Sequence, residues 1–207
     1  MKSVLISIQP KWCELIASGK KKVEVRKTRP KIDTPFKCYI YQTKMKWIYD
    51  ILFEMKLFSL AHKLLISKGK VIGEFICDDI NTTDVVHSDE EVGWYVNNMH
   101  AVKGSCLDEY DILNYCPKEA TIYGWHISDL VIYDKPKELN EFYRWTDYDD
   151  SKNDKRPCSY CEHNAFDYSE NCEYCAIDYD GEHCVHLQMK RPPQSWCYVE
   201  KGGGTNA

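Results

Sequence analysis

Nowhere in the 207 residues is there an uncharged apolar run long enough to cross a bilayer. A spanning helix needs about 20 consecutive apolar residues. The longest candidate, MKWIYDILFEMKLFSLAHKLLI at 45–66, carries Lys46, Asp50, Glu54, Lys56 and Lys63. The opening MKSVLISIQPKW also lacks the apolar centre of a secretory leader, because Gln9-Pro10 interrupts it after a few apolar residues. These absences predict a chain with no membrane partner, working in the cytoplasm. No internal repeat is visible, so the length suits one ordinary domain with a small appendage.

Positive charge is missing from one whole segment. Between Pro157 and Met189 there is no Lys or Arg, against seven acidic residues. A lobe that grips nucleic acid needs cations for phosphates and aromatics for bases, so this one suits capping the fold or meeting a protein partner. The overall charge of −5 hides this polarity: residues 1–72 carry a net +11 and residues 73–207 a net −16. Local fields follow the charges within a Debye length of about 8–10 Å, so a basic surface on an acidic protein still attracts phosphate.

What is present is apolar enough to fold: 43% of the residues are apolar and 13% aromatic, outside the range of disordered chains. SVLISI (3–8) reads as a buried strand. Pro10 then opens a short helix with Trp12, Leu15 and Ile16 at helical spacing, stopped at Gly19. KVEVRK is a second strand, with Val23 and Val25 on one face and Lys22, Glu24 and Arg26 on the other. That charged face is either a solvated surface or the wall of a polar cleft. FKCYIYQT (36–43) is a third strand, with Tyr39 and Tyr41 opposite Cys38, Ile40 and Gln42.

A long apolar helix is expected over 44–67 and a strand over 69–80, with Val71, Gly73, Phe75 and Cys77 on one face. Residues 81–118 read as irregular with one or two short helices, one of them capped by Ser88. ATIYGWHISDLVIYD (120–134) reads as one long strand, and DKPKELNEFY as a helix capped by Asp134. PPQSWCYVE (192–200) returns as a last strand, and the 201–207 tail is expected to be disordered.

Of the 11 cysteines, four stand in CSYC (158–161) and CEYC (172–175), ten residues apart. Cys158, Cys161, Cys172 and Cys175 can supply four thiolates to a tetrahedral Zn²⁺ with no open position, which makes the expected site structural. His163, His183, Cys184 and His186 are near enough in sequence to replace one of them.

Five fragments, SIQPKWCELIASGKKKVEVRK, CYIYQTK, GKVIGEFICD, YGWHISDLVIYDKPKEL and PPQSWCYVE, resemble in this order the ASCH domain of the PUA-like superfamily, in its bacterial and phage form. The resemblance covers 1–145 and 187–200, leaving 146–186 as an acidic Cys-rich insertion. It implies an α+β fold: a small, strongly curved β-barrel with surrounding helices and a cleft between them. In that setting Lys21, Glu24 and Arg26 line the cleft, with Ser7, Gln9 and Pro10 opposite. Tyr41 and Trp125 become base-stacking surfaces, and Ser195 and Trp196 close the floor.

Two readings of that cleft follow. In one, it binds a nucleotide or short RNA, with Lys21 and Arg26 on phosphate and Glu24 on a base amino edge. In the other it is catalytic, since some ASCH proteins hydrolyse N4-acetylcytidine with a Lys, a Thr and a Glu and others cleave RNA. Lys21 matches the lysine, but Glu24 stands where the threonine would be, and a carboxylate does not replace a hydroxyl nucleophile without a change of mechanism. Glu90 and Glu91 are candidates for the third member. A third role, a phage or mobile-element protein docking a host protein through the acidic lobe, is compatible with either.

The cysteine spacing generates the first prediction. Protein purified without chelator should contain about one zinc per chain, with four sulfur ligands at about 2.3 Å by X-ray absorption. Absence of zinc, or a nitrogen in the ligand shell, contradicts the four-cysteine assignment.

Overall fold

Two sheets carry this fold, and β-branched and aromatic residues at alternating positions build most of their strands. The computed structural model describes residues 2–44, 69–88, 93–145 and 188–201. The expected helix at 44–67 and the four candidate zinc ligands fall almost wholly or wholly outside these residues.

The larger sheet has six strands in the order β8-β4-β3-β1-β10-β9. They span Ser3–Ile8 (β1), Phe36–Gln42 (β3), Val71–Cys77 (β4), Ser128–Lys137 (β8), Phe142–Arg144 (β9) and Trp196–Lys201 (β10). β1 lies near the centre, parallel to β3 and antiparallel to β10. All six β1 residues are buried, as Val4, Leu5, Ile6 and Ile8 predict, and Ser3 and Ser7 are buried with them. Val4, Ile6 and Ile8 enter a core with Cys13, Ile16, Phe75 and Trp125, while Leu5 enters another with Tyr39, Tyr41, Phe142 and Val199. The smaller sheet runs β2-β7-β5-β6, with Val23–Arg26 (β2), Ile80–Ser88 (β5), Gly93–Val96 (β6) and Ala120–His126 (β7). Its own core is Val25, Val85, Val96 and Ile122, closed by Val102 and by Ile112 of a helix. Among the described residues two α-helices flank the sheets: α1 (Pro10–Ala17) and α2 (Glu109–Tyr115). The curled half-barrel sheet fits the ASCH type of fold, where the sequence resemblance implied a small, strongly curved β-barrel. Among the described residues no helix is long and apolar enough to cross a membrane.

Several expected elements are corrected. The 120–134 strand is two strands in different sheets, β7 and β8, broken at Ile127. The helix capped by Asp134 is absent: β8 continues to Lys137, and a 3-10 turn at Leu139–Glu141, boxed by Glu138, leads into β9. Backbone pairing of β8 with β4 overrides a local cap signal. Within 81–118 the capped helix is α2, whose Asp108 and Asp111 form a reciprocal capping box. The described part of the stretch assigned to a Ser88-capped helix is instead β5 and β6, paired from Val85↔Val96 to Ser88↔Gly93. The face expected for β4 holds at Phe75 and Cys77 but not at Val71, which joins the opposite core beyond a register shift at Val71/Gly73.

Gly124 shows how closely the small sheet is overlaid. A Cβ there would lie 2.4 Å from the Ala101 carbonyl oxygen and 3.0 Å from a Val23 methyl. Because the first obstacle is backbone, it cannot swing aside. Gly124→Ala is expected to lower stability by about 1–3 kcal/mol, seen as a lower urea midpoint at unchanged slope. An unchanged midpoint would mean that the 99–102 turn yields freely.

Candidate functional site

Three charged side chains are buried at β2: Lys21 just before the strand, and Glu24 and Arg26 at alternate positions within it. Gly19, at φ +72, lets the chain reverse after α1, and Lys21 N then donates to Leu15 O at 3.0 Å. This tucks Lys21 under the helix at 3% exposure. Glu24 and Arg26 follow on the same face of β2 at 6% and 8%. Such burial of charge requires partners.

Lys21 Nζ donates to the Ser105 carbonyl at 2.7 Å and lies 3.4 Å from Glu24 Oε2. Glu24 Oε1 is 3.0 Å from Arg26 Nη2, which also donates to the Ser7 carbonyl at 2.7 Å. Arg26 Nη1 reaches Ser195 Oγ at 3.4 Å. Burial pulls the Lys21 pKa below that of an ordinary lysine, and the Glu24 charge opposes this. Two buried atoms of this array have no hydrogen-bond partner among the described residues: Glu24 Oε2, an acceptor, and Arg26 Nε, a donor.

The array lines a cleft of about 430 Å³. β1 contributes Ser7, whose amide donates to Ser195 O at 2.9 Å and whose hydroxyl donates to Pro193 O at 2.7 Å. These bonds hold residues 193–195 across the end of β1. Gln9 precedes α1, and its carbonyl accepts from the Trp12 and Cys13 amides, each at 3.0 Å. Across the cleft, α2 supplies Asp111 and Tyr115.

Of the sequence-predicted residues, Ser7, Gln9, Lys21, Glu24, Arg26 and Ser195 line this cleft. Pro10 is buried at the first turn of α1 and does not line it. The stacking roles expected for two aromatics are corrected. Tyr41 is buried with Leu5, Tyr39 and Val71 on the other face of β3, because it shares the parity of Tyr39. Trp125 is fully buried, with Phe36 edge-on at 5.9 Å. Neither ring has a free face for a base. Trp196 lies outside the cleft lining: its indole donates to Thr28 Oγ1 at 3.0 Å, and its ring packs on Trp125 and Tyr198. Glu90 and Glu91 lie outside the described residues.

Sequence reasoning missed Trp12, Thr43, Asp111, Tyr115 and Gln194 as lining residues. Trp12 was legible only as a helix-face residue. Tyr115 arrives on a helix that the acidic 81–118 composition obscured. The Trp12 ring lies against Lys11 Nζ at 4.4 Å and Lys21 Nζ at 5.1 Å, and the Tyr115 ring against Lys27 Nζ at 4.5 Å.

Comparison with known proteins gives one family and one fold. The ASCH domain family model matches residues 6–110. A crystal structure of a serine-to-alanine mutant of the ASCH protein from Zymomonas mobilis aligns at TM-score 0.50 and 15% identity, covering 96% of this chain and 89% of that one. The ASCH structure from the same organism without that substitution aligns at TM-score 0.49 and 17% identity, covering 96% and 88%. No curated protein matches the chain significantly.

Removing the central anion alone should cost more than removing it together with one of its cations. Glu24→Gln leaves Lys21 and Arg26 facing each other without compensation, and a loss of about 3–5 kcal/mol in urea unfolding is expected. The double variant Glu24→Gln/Lys21→Met should recover part of that loss. A single variant as stable as the parent would show that solvent reaches and screens the array.

Proposed function

The chain belongs to the ASCH domain family, and from that premise we propose that its cleft captures a nucleotide or a short stretch of single-stranded RNA without turning it over. ASCH domains are generally RNA-binding. The observation that carries the reading is the buried Lys21–Glu24–Arg26 array lining an open cleft, with the Arg26 Nε donor left without a hydrogen bond and Glu24 Oε2 held only by its 3.4 Å ion pair to Lys21. Buried polar atoms are rarely left so, because each costs about 1–3 kcal/mol. A base edge that presents an amino group beside a ring acceptor complements in kind the carboxylate of Glu24 and the guanidinium of Arg26, both of which line the cleft. Lys21 is committed to the Ser105 carbonyl and nearly inaccessible, which makes it a floor cation rather than the phosphate ligand expected from sequence. Tyr115, 39% exposed, is the cleft aromatic available for stacking. The acidic Cys-rich insertion at 146–186 is, by its cysteine spacing and charge, a structural zinc lobe suited to a protein partner.

The hydrolase reading has one observation in its favour, a buried lysine of lowered pKa in the cleft. Against it, Glu24 beside that ammonium favours the charged form, which is no base.

One titration separates the two. Nucleoside monophosphates and a single-stranded RNA octamer, titrated calorimetrically, should include a ligand that binds one per chain and is recovered intact by mass spectrometry. Tyr115→Ala should weaken that ligand about tenfold, the low end of a stacking contribution, at an unchanged thermal midpoint. Binding by none of these probes overturns the proposal. Release of cytidine from N4-acetylcytidine, abolished by Lys21→Ala, replaces it with the hydrolase.

A further inference from the structure

The cleft floor has no cation to spare for a phosphate, yet two further lysines stand at its lips. Lys11, on the first turn of α1, and Lys27, one residue beyond β2, are both exposed. Their ammonium groups are held over the two aromatic rings that line the cleft, Lys11 over Trp12 at 4.4 Å and Lys27 over Tyr115 at 4.5 Å. Neither has a carboxylate partner among the described residues. A free surface lysine samples many rotamers, whereas one resting on an aromatic face has its charge localised before any ligand arrives. The two cations come from different elements and flank a polar floor.

We infer that Lys11 and Lys27 form a phosphate clamp at the mouth of the cleft, so that the ligand is a nucleotide within an RNA strand, held by its flanking phosphates while its base enters. This rests on the cleft reading and adds to it the class of ligand: a polynucleotide rather than a free nucleoside or base. An isolated base needs only the floor. Two exposed, carboxylate-free cations on separate lips serve a ligand that carries negative charge outside the cleft. A phosphate track matches that requirement with the base between two phosphates.

Two ligands and one double variant test the clamp. Fluorescence anisotropy with a labelled single-stranded RNA octamer, measured across salt concentrations, gives the slope of log affinity against log salt. Each single-strand phosphate contact contributes about 0.7 to that slope, so Lys11→Ala/Lys27→Ala should reduce it by about 1.4. Calorimetry with the corresponding free nucleoside should show weaker binding than the octamer at low salt, unchanged within about twofold by the same variant. The clamp is overturned if the octamer binds with an unchanged slope in the variant, or if the nucleoside binds the parent as tightly as the octamer. It also falls if the variant weakens the nucleoside as much as the octamer, which would give the lysines a packing role, or if an acidic peptide of equal charge competes as well as RNA. In each of these cases the cleft reading survives wherever the nucleoside still binds. Binding of neither ligand to the parent removes both.

Discussion

Burying two cations and a carboxylate side by side is the constraint from which the rest of this architecture follows. Transfer of an isolated charge out of water costs several kcal/mol even after relaxation, so each of Lys21, Glu24 and Arg26 must be met by polar groups from elsewhere in the chain. Ser105 arrives on the turn before α2, Ser7 at the end of β1, and Ser195 just before β10. Three distant segments thus converge on one strand four residues long. The turn that brings Ser105 is itself fastened to β2, since the Lys22 and Val23 amides both donate to the Gly104 carbonyl at 2.8 and 3.2 Å.

The same convergence explains why the cleft is polar within and apolar behind. Immediately beneath the array lies the core of Ile6, Ile8, Cys13 and Trp125, all at most 2% exposed. A dry wall of this kind strengthens every electrostatic contact on its surface. It also pushes the Cys13 thiol far above its ordinary pKa, by burial first and then by the nearby Glu24 charge. Cys13 is accordingly a packing residue that stays protonated, although the residue directly before it, Trp12, lines the cleft.

Much of this was legible in the sequence, for identifiable reasons. Strand β1 was visible because burial on both faces leaves apolar residues at adjacent positions, Val4, Leu5 and Ile6, and α1 because Pro10 and Gly19 punctuate it. The cleft residues on β2 were visible because strict alternation separates Val23 and Val25 from Glu24 and Arg26. What resisted was set by pairing between distant segments. The break at Ile127 has no local signal, since residues on both sides are good strand formers and only the two-sheet arrangement separates them. Tyr41 and Trp125 looked like exposed stacking rings because aromatic identity carries no sign of which face is covered. Tyr115 was hidden because Asp108 and Asp111, which cap its helix, sit in a stretch whose acidity resembles a loop.

The position of β10 has a consequence for the order in which the molecule can be made. It is inserted between β1 and β9, pairing Ser3 with Val199 and Val199 with Arg144. During vectorial synthesis β1 leaves the ribosome well before its long-range partner β10, which is translated nearly two hundred residues later. Loop closure over that distance is slow, and an unpaired edge of β1 stays open to wrong partners meanwhile. Residues 193–195, which seal the floor around Ser7, emerge with that same last strand. The nascent chain therefore cannot assemble a closed cleft part by part, and its floor is sealed only as β10 docks.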